Sequence, residues 1–250
     1  MAATGEEKRI PPFRMAGNLY YVGTYGESSH IIDTGDGLIM IDTGYEKTVP
    51  TIIEGIRSLG FSEKDIRLIL LSHGHLDHSG GVPRLLEVCN AETRLAVEDL
   101  RYIEGFVPDG DYSDGEVIRL GNTAVTVLRT PGHTVGTVSF FFDVTENGKV
   151  LRCGMFGGAG TKQLTRSYLD ARGLSLSQRD MFFASIDRLR KERVDLFVGN
   201  HSWHNHTLEN AAILRKTGEN RFIDPGAWTA FLDKVENDMK TIIEKEKKEL

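Results

Sequence analysis

The sequence predicts an α/β domain of mixed sheets with helices packed outside them, on three observations. Strand-length apolar runs alternate with glycine-rich turns through the first half of the chain. Stretches with a helical period are interleaved with these runs rather than collected at one end. No internal repeat, low-complexity tract or Pro- or Ser-rich linker divides the 250 residues, so one domain over 1–250 is expected.

In chain order, residues 18–23, 30–33 and 38–41 read as strands, separated by turn material such as Thr34-Gly-Asp-Gly37. Residues 48–59 place Val49, Ile52, Ile53, Ile56 and Leu59 at helical spacing, and Gly60 stops the helix. Residues 66–71 form an apolar run broken only by Arg67, suited to a buried strand. A helix over 82–89 and a short strand over 94–97 follow. Residues 117–128 read as a hairpin turning at Gly121 and Asn122. Two more strands, 135–144 and 150–156, are joined by Glu146-Asn-Gly148. Residues 178–191 are helical by period, and 194–198 read as a strand. Trp228, Phe231, Leu232, Val235, Met239, Ile242 and Ile243 fall on one stripe, giving an amphipathic closing helix at about 227–249 with a solvated charged end.

Composition narrows the function classes. Thirty Lys and Arg stand against 36 Asp and Glu, a formal charge of −6 that gives no support to nucleic-acid or anionic-membrane binding. No apolar run reaches the ~18–20 residues of a membrane span. Two cysteines, Cys89 and Cys153, are too few for a disulfide framework. Residues 1–9 carry no apolar segment of the secretory type. A cytoplasmic protein is expected as the sequence stands, and a periplasmic or secreted one if a leader has been removed. The expected partner is a small-molecule substrate, with no nucleic acid and no membrane; the oligomeric state stays open.

Chemistry concentrates at Ser72-His-Gly-His-Leu-Asp-His-Ser-Gly-Gly81, which puts His73, His75, Asp77 and His78 within six positions directly after a buried strand. Imidazole and carboxylate suit borderline divalent metals, zinc above all. Two more histidines lie at strand ends: His133, in Thr130-Pro-Gly-His-Thr134, and His201, in Val198-Gly-Asn-His-Ser202. His204 and His206 follow closely, and spacing does not settle which of the three binds metal; His201 is best placed, nearest the strand end. His30, inside a strand, reads as structural. Six ligands fit two adjacent sites: His73, His75 and His133 for one zinc, and Asp77, His78 and His201 for the other. Three protein ligands plus water is the pattern of catalytic zinc, and zinc lowers the pKa of bound water to ~7. The constellation argues for hydrolysis.

From about Pro12 to His206 the sequence resembles the metallo-β-lactamase superfamily. The likeness is carried by the histidine motif, by the Pro-Gly-His-Thr segment and His201, by residues 12–23, by Ile41-Asp-Thr-Gly44 and by residues 114–121. It is strongest to the third subclass of β-lactamases, whose second metal is held by Asp, His and His with no cysteine. The resemblance implies a four-layer αββα sandwich with two zinc ions at one edge of the sheets. It also implies that Asp42 braces the metal loop and that Asp77 orients the nucleophile. The sequence departs from most superfamily hydrolases where they carry a metal-bridging aspartate after the Pro-Gly-His segment. Residues 151–160 hold no acid, and Gly154 or Cys153 falls at that position. Cys153 reads as a buried structural thiol, with a soft second-zinc ligand as the alternative. The stretch from Tyr102 to Asp114 is short for the third subclass, which leaves the cleft more open. The missing export signal also departs from a resistance enzyme, which meets its antibiotic outside the cytoplasm.

The expected activity is therefore opening of the cyclic amide of β-lactams by a di-zinc hydrolase. Thr161, Lys162, Arg166 and Tyr168, in the loop beyond Gly160, and His204 are the substrate-contact candidates. The alternative is a cytoplasmic zinc hydrolase of a lactone, ester or other amide. A remoter one is a non-catalytic metal-binding protein.

Overall fold

The computed structural model describes residues 10–249, so the reading of residues 1–9 lies outside the described residues. Strands β1 (Phe13–Ala16), β2 (Leu19–Tyr21), β3 (His30–Asp33), β4 (Leu38–Ile41), β5 (Ile66–Leu70) and β6 (Glu92–Arg94) form a six-stranded sheet in that order. The first four run antiparallel, whereas β4–β5 and β5–β6 are parallel. Those parallel steps are bridged by helix α1 (Val49–Ser58) and by the short helices α2 (Leu76–Ser79) and α3 (Val82–Leu86). A second sheet has the order β11-β10-β9-β8-β7, with β7 (Val117–Leu120), β8 (Thr123–Arg129), β9 (Val138–Glu146), β10 (Lys149–Met155) and β11 (Leu196–Phe197). Helices α4 (Arg166–Ala171) and α5 (Ser177–Leu189) lead into β11, and α6 (Thr207–Thr217) and α7 (Pro225–Lys248) follow it.

Side-chain alternation along the strands builds the layers. Ile39 and Ile41 of β4 face Val125, Val127, Phe140 and Phe142 of the other sheet in a shared core, while Leu38 and Met40 point outward under α1 and α3. Phe141, between Phe140 and Phe142, turns outward to α5 and the Trp228, Phe231, Leu232, Val235, Met239 stripe of α7. Each such fully buried side chain contributes roughly 1.5–3 kcal/mol of hydrophobic stabilisation. The result is an αββα sandwich. The closing helix starts at Pro225, two residues before the expected 227, because the Asp224 side chain caps it by accepting from Gly226 N.

Three expectations need correction. The strand expected over 94–97 is displaced: β6 is Glu92–Arg94, and Val97–Tyr102 forms a 3₁₀ turn. That turn forms where the Asp111 carboxylate accepts from Val97 N (3.1 Å) and the backbone doubles back for Asp99. The strand expected from 135 begins at Val138, because residues 134–136 wrap around the Asp99 carboxylate. Elements β1, α2, α4 and α6 were not anticipated. Helix α6 buries only Thr207 and Ala211, so it has no apolar stripe to read.

Candidate active site

Parallel pairing brings the carboxyl ends of β4 and β5 to one edge of the sandwich, where ligand sites of α/β sheets form. Asp42 leaves the end of β4, and Ser72 to His78 follow β5. His133 leaves β8 and His201 leaves β11 on the facing sheet. Backbone bonds join the two sheets here: Val138 N donates to Ser72 O (2.9 Å). Buried Asp99 ties both histidine loops together. Its carboxylate accepts from Gly74 N (2.8 Å), Thr134 Oγ1 (2.7 Å) and Gly136 N (2.9 Å). Gly74 is required by this approach, since a Cβ there would sit 2.7 Å from Asp99 O. Helix α2 begins at Leu76, with His75 at its N-cap, and turns Asp77 and His78 inward.

Donor atoms of His73, His75 and His133 lie within 4.8 Å of one another, and so do those of His73, Asp77 and His78. His75 Nδ1 and His133 Nε2 are 3.1 Å apart, close to the ~3.3 Å expected of two nitrogens on one tetrahedral zinc with bonds of ~2.0–2.1 Å. Asp77 Oδ2 lies 3.4 Å from His78 Nε2 and 3.7 Å from His201 Nε2. Three rings are oriented through their outer nitrogens. His133 Nδ1 donates to Gly160 O (2.8 Å) and His78 Nδ1 to Asp42 Oδ2 (2.8 Å). His73 Nδ1 lies 3.2 Å from Ser72 Oγ, whose own proton goes to Asp42 Oδ2 (2.7 Å). These contacts leave Nε2 of each ring as the inward donor, the arrangement that metal-binding histidines adopt. His73 Nε2 and His78 Nε2 are buried without a hydrogen-bond partner among the described residues, a costly state that a cation relieves. The donor set fits a metal.

The charges agree. Burial holds the His75 and His201 pKa values near 4 and that of His133 near 3, so these imidazoles are neutral lone-pair donors at pH 7. Burial, reinforced by the rings around it, puts His73 well below its ordinary value. Burial would also depress His78, but the carboxylates of Asp42 and Asp77 outweigh it and raise its pKa to about 10. Without a metal, an imidazolium therefore supplies the positive charge between those two acids. Burial would raise Asp77, but His78 and His201 hold it well below the usual carboxylate range, so it is an anion.

A family model of the Metallo-beta-lactamase superfamily matches residues 22–201. The chain belongs to the metallo-β-lactamase superfamily. The native FEZ-1 metallo-beta-lactamase from Legionella gormanii is similar over 98% of this chain and 99% of its own, with a TM-score of 0.89 and 29% identity. BJP-1, a subclass B3 metallo-beta-lactamase of Bradyrhizobium japonicum, overlays 96% of both chains with a TM-score of 0.87 and 25% identity. Among curated relatives, the lactamase-like protein aptB of Emericella nidulans is 30% identical over 133 residues. That match spans 52% of this chain but only 40% of the fungal protein. An N-acyl homoserine lactonase from a Bacillus species is 26% identical over 207 residues, 68% of this chain and 79% of that one. The chain carries this superfamily's His and Asp groups, set to bind metal.

In this metallo-β-lactamase fold, His73, His75, Asp77, His78, His133 and His201 converge on one cluster. Asp77, His75, His133 and His201 line an open cleft of about 1210 Å³, together with Thr161, Lys162 and His204. Arg166 and Tyr168 are not among its lining residues. They begin α4, where the Arg166 backbone N–H is held by Glu246 and the Tyr168 ring lies 3.7 Å beneath the Arg172 guanidinium. Cys153 is the buried thiol that the sequence suggested. Cys153 pairs in register with Phe142 and Leu196, buried in the core between the sheets, with its thiol pKa raised by burial. The segment beside the cluster is 157–160, and a Cβ at Gly158 would come within 2.8 Å of His133 Cβ. His30 is buried in β3 against Tyr21, and His206 is exposed. Sequence reasoning missed Ser72 and Asp99. Ser72 stood inside the motif and gave a usable signal; Asp99 lay in the stretch misread beyond β6.

Proposed function

We propose that the chain is a di-zinc hydrolase that opens the cyclic amide of β-lactams. The observation that carries this reading is the convergence of five imidazoles and one carboxylate at the floor of an open cleft. The end-to-end likeness to the FEZ-1 enzyme supports the substrate class. His73, His75 and His133 would hold one zinc, and Asp77, His78 and His201 the other. Zinc, when bound, supplies Lewis acidity that activates a water and polarises a carbonyl.

The chain's own groups then do the positioning. The ionised Asp77 carboxylate, 25% exposed at the cleft floor, accepts a hydrogen bond from the attacking water and aims its lone pair at the carbonyl carbon. Asp42 and Gly160 hold the His78 and His133 rings from behind, so neither must reorient during the reaction. Lys162 and Thr161 at the rim supply a cation and a hydroxyl for a substrate carboxylate. The cleft exceeds the ~300–1,000 Å³ of typical small-ligand pockets, room for a bicyclic nucleus with its side arms.

A second reading, hydrolysis of a lactone or other ester, is favoured by the lactonase match, which spans more of both chains than the aptB match does. Zinc-loaded protein assayed on a chromogenic cephalosporin and on an acyl lactone separates the two. Ring opening of the cephalosporin, abolished in Asp77→Asn, is expected. Rapid lactone hydrolysis with no cephalosporin turnover would transfer the assignment to the second reading.

A further inference from the structure

Trp203 is 60% exposed at the cleft, while the chain's other tryptophan, Trp228, is 2% exposed in the core. Its ring stacks on the His201 imidazole, with centroids 4.4 Å apart and planes inclined by 12°. The loop that carries it is fixed from both sides. Ser202 N donates to Gly26 O (3.0 Å), Ser202 Oγ donates to Tyr25 O, and Ser28 N donates to Asn200 O (3.1 Å). Thr207 N returns to Ser202 O (2.8 Å), and Glu27 and His201 form a β-bridge. A large aromatic surface is thus held in place beside the candidate second metal ligand set, where the described residues leave it uncovered. Rigid aromatic surface offers contact area without an ordering cost on binding. Tyr45 and Glu27 line the same cleft.

We propose that Trp203 is the platform for the acyl arm of the substrate and makes this hydrolase selective for carbonyl compounds bearing a flat aromatic or apolar acyl group. The proposal rests on the hydrolase reading above and names the part of the substrate that the histidine floor does not touch. With the acyl arm on the indole, the scissile carbonyl lies toward His201 and Asp77, and the polar remainder faces Thr161 and Lys162 across the cleft. A residue that only shielded His201 would give no such selectivity.

The test compares two cephalosporins that share a nucleus and differ only in a phenylacetyl or a formyl arm. Selectivity is the ratio of their kcat/KM values. Trp203→Ala should lower that ratio about five- to ten-fold, mainly through KM, and Trp203→Phe should restore most of it. A second arm needs no turnover. Phenylacetylglycine should alter the intrinsic fluorescence of zinc-loaded protein at concentrations where acetylglycine does not, and Trp203→Phe should abolish that response. An unchanged ratio in Trp203→Ala, or equal losses on both substrates accompanied by loss of zinc, would overturn the proposal. If neither cephalosporin is hydrolysed, the β-lactam reading fails and the fluorescence arm decides for Trp203: discrimination between the two glycines supports the platform, and its absence refutes it.

Discussion

The Asp42 carboxylate and the His78 imidazole lie 2.8 Å apart, both wholly buried, and this pair links the turn after β4 to the candidate metal loop after β5. Asp42 adopts a φ of +55°, a left-handed conformation that costs an aspartate about 1–3 kcal/mol and persists only where surrounding contacts impose it. Here they do: the same carboxylate accepts from Ser72 N and Ser72 Oγ, each at 2.7 Å.

On the proposed ligand set, a bound zinc displaces a proton from His78, because its pKa is raised to about 10 while His75, His133 and His201 are already neutral at pH 7. Calorimetry of the metal-free protein in buffers of different ionisation enthalpy should show about one proton released per chain from His78 as the metal sites fill at pH 7, on top of any lost by metal-bound water. Affinity at that site should rise about ten-fold per pH unit between pH 6 and 8, below the pKa of His78. Asp42→Asn removes one of the two anions that favour the imidazolium, so proton release should fall by up to one proton per chain. The variant's zinc affinity should also drop about 10–100-fold, as the ring loses its orienting partner. Unchanged proton release in Asp42→Asn would contradict this account of His78.

Asp99 sets the distance between the His75 and His133 loops without facing the cleft. Asp99→Asn replaces one accepting oxygen with an NH₂ that points at backbone or hydroxyl donors. Thermal and denaturant unfolding should show a loss of about 1–3 kcal/mol from the unsatisfied group. Zinc affinity should fall with it, since both loops lose their common anchor. Wild-type stability in Asp99→Asn would show that the loops are held by other contacts.

Much of this arrangement was legible in the chain. Val49, Ile52 and Ile56 announced α1 because one face of that helix packs on an apolar sheet, and the unbroken apolar run Leu38 to Ile41 marked a strand, which is buried on both faces. The histidine motif was legible because metal chemistry confines the residue types. What stayed hidden depends on long-range contacts. The 3₁₀ turn at Val97–Tyr102 forms to deliver a carboxylate to loops 25 and 35 residues away in sequence, and no local propensity encodes that. The burial of Cys153 was legible, but the approach of Gly158 and Gly160 to His133 was not, because it joins segments some 25 residues apart in sequence.

Cys153 therefore makes a clean control. Cys153→Ser should leave zinc content and rate unchanged while lowering stability by about 1–3 kcal/mol, because the new hydroxyl is buried among Phe142, Leu196 and their neighbours. His201→Ala should lose one zinc. Metal analysis giving the reverse pattern would assign the sixth ligand to the thiol.

The central claim, two zinc sites that act together in hydrolysis, is tested most directly by titrating metal-free protein with zinc while recording bound metal and hydrolysis of a chromogenic cephalosporin in the same samples. Binding should saturate at two zinc ions per chain. Activity should reach its plateau with the second ion and disappear on chelation, and Asp77→Asn should bind the first ion yet remain nearly inactive. Saturation at one ion with full activity, or turnover that survives chelation, would contradict it.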